Sequence, residues 1–456
     1  MRALGVRQSP MVLAILLLAN AAVARWTYTK AALDIDYFTL WSVPHAVARL
    51  PPAAQVPDIY TSAVQRDMGA LLLEEARGLP RDSPQVRATQ ITASLYDGRV
   101  DATGTPFVYA IVGLLSSPDF AGDAAVFQFV SALCFVIALG LLLRTLRFPL
   151  WSAVLALVFF GLEFTPIRAD VRVGNINQLQ LLTLALFIVL STKGRPLVAG
   201  LALGFGAALK PNLLPVAITA LLFALAARDY RRLTRTMTGL LAAIAIAVAI
   251  GATYFGSLVA WGDFVRSVPA TLGQGYPLEN GNYGLAELLS TVTTLPVAQT
   301  IVALAVGVLI MVTVIRRRRG TDANGSAAFH DSFLAAGVGI ALMLLASRLA
   351  WLHYYALTIP AALYLLRPTD AASAQPGRGR MVEWCLGVLA LACLSNAAQQ
   401  LSTVFTESLM ANVAALALFT GCVHSLWGMR SRSGDVVRTR TTGKRRKLSM
   451  QPQQAN

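Results

Sequence analysis

The sequence predicts an all-α integral membrane protein, with about twelve transmembrane helices and a long first extracytoplasmic loop. Three observations predict it. Of the 456 residues, 56% are hydrophobic and only 13% are charged, whereas soluble domains carry roughly 25% charged residues. Mean hydropathy is +0.60. Long apolar runs recur along the chain, and short clusters of Arg and Lys separate them, which is the pattern of multi-span membrane proteins.

The net charge of +15 does not indicate nucleic-acid binding, because the basic residues are spread over short loops between apolar runs instead of forming one patch. The four cysteines all lie inside apolar runs, where cysteine behaves as a small hydrophobic residue. Their spacing indicates neither a metal site nor a disulfide framework. The lipid bilayer is therefore the first expected partner, and nucleic acid is not expected.

The first apolar run covers residues 11–24 and follows Arg2 and Arg7. It is interpreted as the first transmembrane helix, with a cleaved signal peptide as the alternative, since Ala22-Val23-Ala24 resembles a cleavage site. Residues 25–105 then form a polar, acid-rich stretch with short amphipathic pieces. This stretch is predicted to be the first extracytoplasmic loop and to lie on the membrane face.

Eleven further apolar runs follow the loop. The least certain pair is 196–209 and 213–227, which are predicted as two tilted spans or as a helical hairpin broken at Lys210-Pro211-Asn212. The predicted spans are 124–143, 149–165, 177–191, 196–209, 213–227, 237–255, 297–315, 332–346, 354–366, 382–397 and 408–427. With the first run, they give one transmembrane domain over residues 1–428.

Counting basic residues in alternate loops gives the orientation. If the N-terminus is cytoplasmic, every inner loop has at least two basic residues, and the short outer loops contain only five in total. This distribution satisfies the positive-inside rule. The sequence thus predicts a multi-pass protein of the bacterial inner (plasma) membrane with both termini in the cytoplasm. Residues 429–456 are predicted to form a basic, disordered cytoplasmic tail near anionic lipid.

The five basic residues of the short outer loops lie beside other polar groups. This is significant because a charge near the membrane requires a partner. The polar clusters are residues 168–177, 210–212, 279–283 and 348–355. Together they predict an extracytoplasmic cavity in which cations could hold a phosphate and Trp or Tyr rings could stack on a sugar. Asp34 and Asp36 follow the first span, and either acid could act as a general base for a hydroxyl nucleophile.

Four stretches resemble glycosyltransferase family 87, a family of polyprenol-phosphate-mannose-dependent enzymes with the GT-C architecture. The segment DYFTLW from Asp36 resembles the family's early Asp-Phe-x-x-Tyr-Tyr element, and Tyr60 with Thr105 to Tyr109 resembles later parts of the same loop. Residues 174–177 resemble Gly-Gln-x-Asn, with Asn175 in place of Gln, and are followed by an Ala-Gly element and by Leu209-Lys210-Pro211. Residues 347–354 resemble Ser-Pro-x-Ser-Trp-x-His-His.

The resemblance implies a GT-C helical bundle and a membrane hexosyltransferase. A hexose, mannose in the first place, would pass from a polyprenyl-phosphate donor to an envelope glycolipid or glycan in one inverting displacement. Asp36 would be the catalytic base, with Asp34 as the reserve, and neither a metal nor a cofactor is expected. The residues expected to bind the donor phosphate or the substrates are Lys210, Arg172, Arg348, His353, Asn177, Trp351 and Asn282.

Two other functions fit the hydropathy. A transporter or flippase of a lipid-linked sugar would also place cations on one surface. However, the sequence has no clear internal repeat, and its unusual charges lie at helix ends on one side instead of at the membrane midplane. A non-catalytic subunit of an envelope complex would tolerate replacement of Asp36 by Asn without loss.

Overall fold

The computed structural model describes residues 15, 19, 33–49, 58–273, 276, 278, 281–292, 326–368, 378–400 and 403–448. Over these residues the protein is built from helices, and its only extended pairings are two isolated bridges, Phe164 with Ser395 and Asn282 with Trp351. The fold is therefore all-α in the part of the chain that is described, as the sequence predicted.

The first loop contains three helices of its own. They are α1 (Ile35–Val47), α2 (Ser62–Arg77) and α3 (Pro84–Leu95). Aromatic side chains of α1, including Phe38 and Trp41, pack on Phe120 to form a small core that is separate from the main one. The loop is thus a packed unit that fixes α1 against the apolar helices.

Fifteen further α-helices follow this unit in the described residues. The first five are α4 (Pro106–Leu115), α5 (Phe120–Thr145), α6 (Leu150–Val158), α7 (Thr165–Val173) and α8 (Asn177–Thr192), and a short π-helix, Phe159–Glu163, continues α6. The next five are α9 (Pro196–Leu209), α10 (Leu214–Ala226), α11 (Tyr230–Tyr254), α12 (Val259–Gly273) and α13 (Leu285–Val292). The last five are α14 (Ser326–Ala346), α15 (Ile359–Leu366), α16 (Arg378–Cys393), α17 (Asn396–Gln400) and α18 (Val404–Leu448).

Four helices are long and apolar enough to cross a bilayer, judged by length and composition. They are α5, α11, the segment Ala328–Ala346 of α14 and the segment Val404–Trp427 of α18. Helix α5 exposes Phe129, Leu133 and Ile137, which lie on one face at a spacing of four residues, and lipid is the medium that suits such an apolar stripe. The chain is therefore an all-α membrane protein.

The other predicted spans do not correspond to helices of this length in the described residues. Those at 149–165, 177–191, 196–209, 213–227 and 354–366 correspond to shorter apolar helices, and the total of about twelve spans stays a prediction. The predicted spans 11–24 and 297–315 lie outside the described residues, apart from residues 15 and 19. At Lys210 the chain forms a short 3-10 turn, Pro211–Leu213, between α9 and α10, and these two helices pack mainly on different neighbours.

The main core lies among α5, α8, α10, α14 and the segment 352–366. Helix α9 packs closely on α11, and α10 packs on α14. The last helix, α18, runs beyond the predicted span and reaches Leu448. Residues 429–448, which the sequence predicted as a disordered tail, are thus helical in the structure, and the segment Val404–Leu448 contains no proline that would interrupt the helix.

Candidate active site

The site begins where the first loop meets the end of α7. The amides of Leu33 and Asp34 both donate to the carbonyl of Arg172, at 2.8 and 3.1 Å. Helix α7 is followed by Gly174, whose φ of 70° suits glycine. A Cβ there would lie 2.9 Å from Cβ of Tyr37, so a glycine also permits the close approach. These contacts bring the start of α1, with Asp36, against Asn175.

Asn175 connects a carboxylate and an ammonium group. Its Nδ2 donates to Oδ2 of Asp36 over 2.6 Å, and its Oδ1 accepts from Nζ of Lys210 over 3.4 Å. The same Oδ1 accepts from the amide of Ile176 at 2.8 Å, which fixes the side chain. Asp36 and Lys210 are therefore held near each other without direct contact, and each keeps part of its hydrogen-bonding capacity.

A short helical segment, Leu352–Thr358, forms the next wall. Nζ of Lys210 lies 4.2 Å from the ring centroid of Tyr354, at the distance of a cation–π contact. Nε2 of His353 lies 3.9 Å from Oδ2 of Asp36, which is too long for a hydrogen bond. The His353 side chain is only 9% exposed, and among the described residues its Nε2 has no hydrogen-bond partner.

These side chains face one cavity of about 1080 Å³. Four of the residues predicted from the sequence line it, namely Asp36, Lys210, Trp351 and His353. The Asp36 side chain keeps 31% exposure because it points into this space. Burial nevertheless raises the pKa of Asp36, while the Asn175 hydrogen bond and the charge of Lys210 act in the opposite direction.

The other predicted polar residues do not line the cavity. Asp34 accepts a hydrogen bond from Nε2 of Gln128 at 2.6 Å, so it anchors the start of α1. Asn177 donates to Oδ1 of Asp170 at 2.8 Å. Arg172 and Arg348 have exposed side chains, and it is their carbonyl oxygens that hold the neighbouring loops.

Asn282 is a clamp beside the cavity. Its Nδ2 donates to the carbonyls of Tyr276 and Arg348, and its Oδ1 accepts from the amides of Gly284 and Ala350, all at 3.0 Å. Every hydrogen-bonding position of its Nδ2, and both lone pairs of its Oδ1, are thereby used. Asn282 therefore positions Tyr276 and the segment leading to Trp351.

Asp170 is a buried acid beneath the site. Its two carboxylate oxygens accept from Asn177 and Gln178, at 2.8 and 3.0 Å. Burial raises the pKa of Asp170 to about 7, although these hydrogen bonds and Lys210 lower it. The carboxyl group joins the end of α7 to the start of α8 and so supports the loop that carries Asn175.

Sequence reasoning missed several residues that line the cavity, above all Asp101, Tyr96 and Tyr276, and it named Asn212 only as part of the polar cluster 210–212. Asp101 precedes α4, and burial together with the charge of Asp36 raises its pKa to about 6, whereas Arg99 lowers it. The position of Asp101 just before Thr105 to Tyr109 was the available signal. Asn212 accepts from Gln180 at 2.6 Å, and its Nδ2 has no partner among the described residues.

Comparison with known proteins gives one match. The model of glycosyltransferase family 87 matches residues 103–347, which is more than half of the chain. The matched range includes Asn175 and Lys210, whereas Asp36 and His353 lie outside it. No curated protein and no solved structure matches the chain.

Proposed function

The chain belongs to glycosyltransferase family 87, and from this premise we propose that it transfers a hexose, mannose in the first place, from a polyprenyl-phosphate donor. The acceptor is an envelope glycolipid or glycan, and transfer occurs on the extracytoplasmic side of the bacterial inner membrane. Family membership favours an enzyme over the transporter and the assembly subunit. One observation carries the proposal: Asp36 and Lys210 face the same cavity and are joined through Asn175.

Asp36 is the proposed base. The acceptor hydroxyl attacks the anomeric carbon of the donor sugar and gives its proton to the Asp36 carboxylate. A new C–O bond forms as the bond from the anomeric carbon to the phosphate oxygen breaks, so the configuration inverts. The raised pKa of Asp36, caused by burial, brings its proton affinity closer to what a base needs at neutral pH. The 31% exposure of its side chain leaves room for the hydroxyl.

Lys210 is the proposed counter-charge for the leaving polyprenyl phosphate, which departs with the bonding electron pair. Its Nζ is held between Asn175 and the Tyr354 ring, and its carbonyl accepts from Gln180 at 3.0 Å. In the described part of the chain, no carboxylate lies within salt-bridge distance of this Nζ. A fixed cation without direct contact to any described carboxylate suits a site where negative charge develops.

A lipid-linked donor agrees with the apolar side of the cavity. Beyond Lys210 the wall consists of Pro215, Ile218, Leu342 and Met343 from α10 and α14. Ile218 is 57% exposed and lies on an apolar helix, so this side leads from Lys210 toward lipid. An isoprenoid chain fits such an apolar wall, whereas a nucleotide would lose its hydrogen bonds to water there.

The test is transfer by the purified protein in lipid nanodiscs from radiolabelled polyprenyl-phosphate mannose into extracted envelope lipids or glycans. Asp36→Asn keeps the shape and should lower transfer by about 10²–10⁴-fold, with insertion and donor binding preserved. Asp97→Asn is the matched control, because Asp97 is exposed, lies in the same loop and has a φ of 54° that Asn also accepts.

Three outcomes are distinguishable. Transfer by the wild type and by Asp97→Asn, but not by Asp36→Asn, supports the proposal. Full transfer by Asp36→Asn would remove Asp36 as the base. Donor binding without transfer, combined with donor movement across sealed vesicles, would instead favour a flippase.

A further inference from the structure

The cavity has a second half, on the far side of Asp36 from Lys210, that the proposed chemistry leaves unused. It is lined by Tyr96, Asp101, Tyr276 and Trp351. Asp101 lies in the connection between α3 and α4 and is partly buried. Among the described residues, no side chain or amide donates to its carboxylate oxygens, so these oxygens remain open to a ligand in the cavity.

The wall of the cavity gives the order of the groups. Nζ of Lys210 lies 4.2 Å from the centroid of the Tyr354 ring, and this ring lies 4.8 Å from the ring of His353. His353 stands beside the proposed base, with its Nε2 3.9 Å from the carboxylate. The ring of Trp351 follows, 6.4 Å from that of His353, and Tyr276 packs on Trp351. The order along this wall is therefore cation, base and aromatic pair.

Aromatic rings complete the second half. The rings of Tyr276 and Trp351 meet edge to face, with centroids 5.6 Å apart and an interplanar angle of 65°. Asn282 holds both, through the carbonyl of Tyr276 and the bridge to Trp351. Tyr96 and Asp101 line the same cavity as these two rings.

We propose that Asp101, Tyr96, Tyr276 and Trp351 form the subsite for the acceptor sugar. This inference rests on the proposed function. In an inverting displacement the acceptor and the leaving phosphate lie on opposite sides of the anomeric carbon, so the half away from Lys210 takes the acceptor. A carboxylate accepts strong hydrogen bonds from sugar hydroxyls, and aromatic faces cover the apolar face of a pyranose ring.

His353 provides an independent indication of a ligand. Its side chain is 91% buried, as follows from its 9% exposure, and it lines the cavity beside Asp36. In the described part of the chain its Nε2 has no hydrogen-bond partner. A buried polar group in this state costs free energy unless a ligand satisfies it. A sugar hydroxyl beside Asp36 would do so.

The experiment measures binding of a free sugar, not turnover. Methyl α-D-mannopyranoside and methyl α-D-glucopyranoside are titrated into the full chain in nanodiscs, without donor, and followed by tryptophan fluorescence. Asp101→Asn should raise the Kd of the preferred glycoside about tenfold, because a charged hydrogen-bond acceptor is lost. Tyr276→Leu should raise it as well, whereas Asp97→Asn should leave it unchanged.

Lys210→Gln separates the two halves of the cavity. It should leave the glycoside Kd unchanged, because Lys210 belongs to the donor half. The proposal is overturned if the wild type binds neither glycoside, if Asp101→Asn binds as tightly as the wild type, or if Lys210→Gln weakens binding as much as Asp101→Asn.

Failure of the proposed function would look different. The wild type could bind the glycoside through Asp101 and yet transfer nothing from polyprenyl-phosphate mannose. That result would support the sugar subsite and refute the reaction with that donor. Where transfer is measured, Asp101→Asn should raise the KM for the acceptor and leave the KM for the donor unchanged, a split that a merely structural role would not produce.

Discussion

Asn175 donates to Asp36 over 2.6 Å although the two residues are 139 positions apart in the chain. The contact exists because the amides of Leu33 and Asp34 bind the carbonyl of Arg172 and Gly174 lets the chain turn beside them. Since Lys210 reaches the other end of the same amide, one side chain sets the positions of both the proposed base and the proposed counter-charge.

Replacing Asn175 should therefore lower kcat more than it raises KM. Asn175→Leu keeps the approximate volume but removes both contacts, and a displacement of about 1 Å at a reacting group costs roughly 100-fold in rate. Asn175→Gln retains the amide and should lose less. Steady-state transfer kinetics would check both variants, and equal activity of Asn175→Leu and the wild type would show that the amide does not position Asp36.

Several features of the site were predictable because they depend on local sequence. Asp36, Lys210, Trp351 and His353 each stand beside an apolar run, and helices that end on one side of a membrane bring such residues together. The all-α fold follows from hydropathy alone, and it is confirmed.

Other features depend on which way a side chain points, and sequence spacing does not give that direction. Arg172 and Arg348 stand in the same clusters as Asn175 and His353, yet their side chains are exposed. Asn177 and Asn282 point into the protein and hold other groups instead of facing the cavity. Asp101 is separated from Asp36 by the rest of α1 and by two further helices, so its proximity to Asp36 depends on how the first loop packs.

Replacement of Lys210, Arg172 or Arg348 should consequently lower the rate of transfer by different amounts. Lys210→Gln removes the cation that lines the cavity and should lower transfer about 100-fold, the usual loss for one group that stabilises developing charge. Arg172→Gln and Arg348→Gln should stay within about threefold of the wild type, because exposed charges contribute little at a distance. Parallel transfer assays at one salt concentration would test this order, and a larger loss for Arg348→Gln than for Lys210→Gln would contradict it.

Asn282→Leu should destabilise the protein. It leaves two carbonyls and two amides without their partner, and each unsatisfied buried group costs about 1–3 kcal/mol. We expect a loss of about 4 kcal/mol or more, seen as a lower temperature of thermal unfolding in nanodiscs. The matched control is Ser290→Ala, in an exposed part of α13. Unchanged unfolding of Asn282→Leu would mean that the clamp is not needed for stability.

Gly200 marks the contact between α9 and α11. A Cβ at this position would overlap the carbonyl oxygen of Thr236, and one at Gly239 would overlap that of Leu197. Gly200→Ala should therefore cost about 3 kcal/mol, since a tightly packed interface resists an added methyl group. Gly262→Ala is the control, because its Cβ would have no atom within 4 Å. Thermal unfolding should separate the two, and equal stability would disprove the close contact.

Stability should fall as pH rises from 6 to 8. Burial raises the pKa of Asp170 from 3.8 to about 7, so the folded protein binds more protons than the unfolded chain between these values. Linkage then makes the free energy of unfolding decrease with pH, by about 1 kcal/mol between pH 6 and pH 8. The pKa of Asp101 is raised to about 6, so ionisation of Asp101 also lowers the free energy of unfolding as pH rises, but at lower pH.

The substitution Asp170→Asn should flatten the dependence between pH 6 and pH 8, whereas Asp101→Asn should leave that part intact and flatten it nearer pH 5 to 6. Both variants keep the side-chain shape but cannot ionise. Thermal unfolding at half-unit intervals of pH would resolve the two components. When burial raises the pKa of an acid, the folded protein loses stability as that acid ionises. An unfolding temperature that increases with pH over this window would therefore contradict the buried position of Asp170.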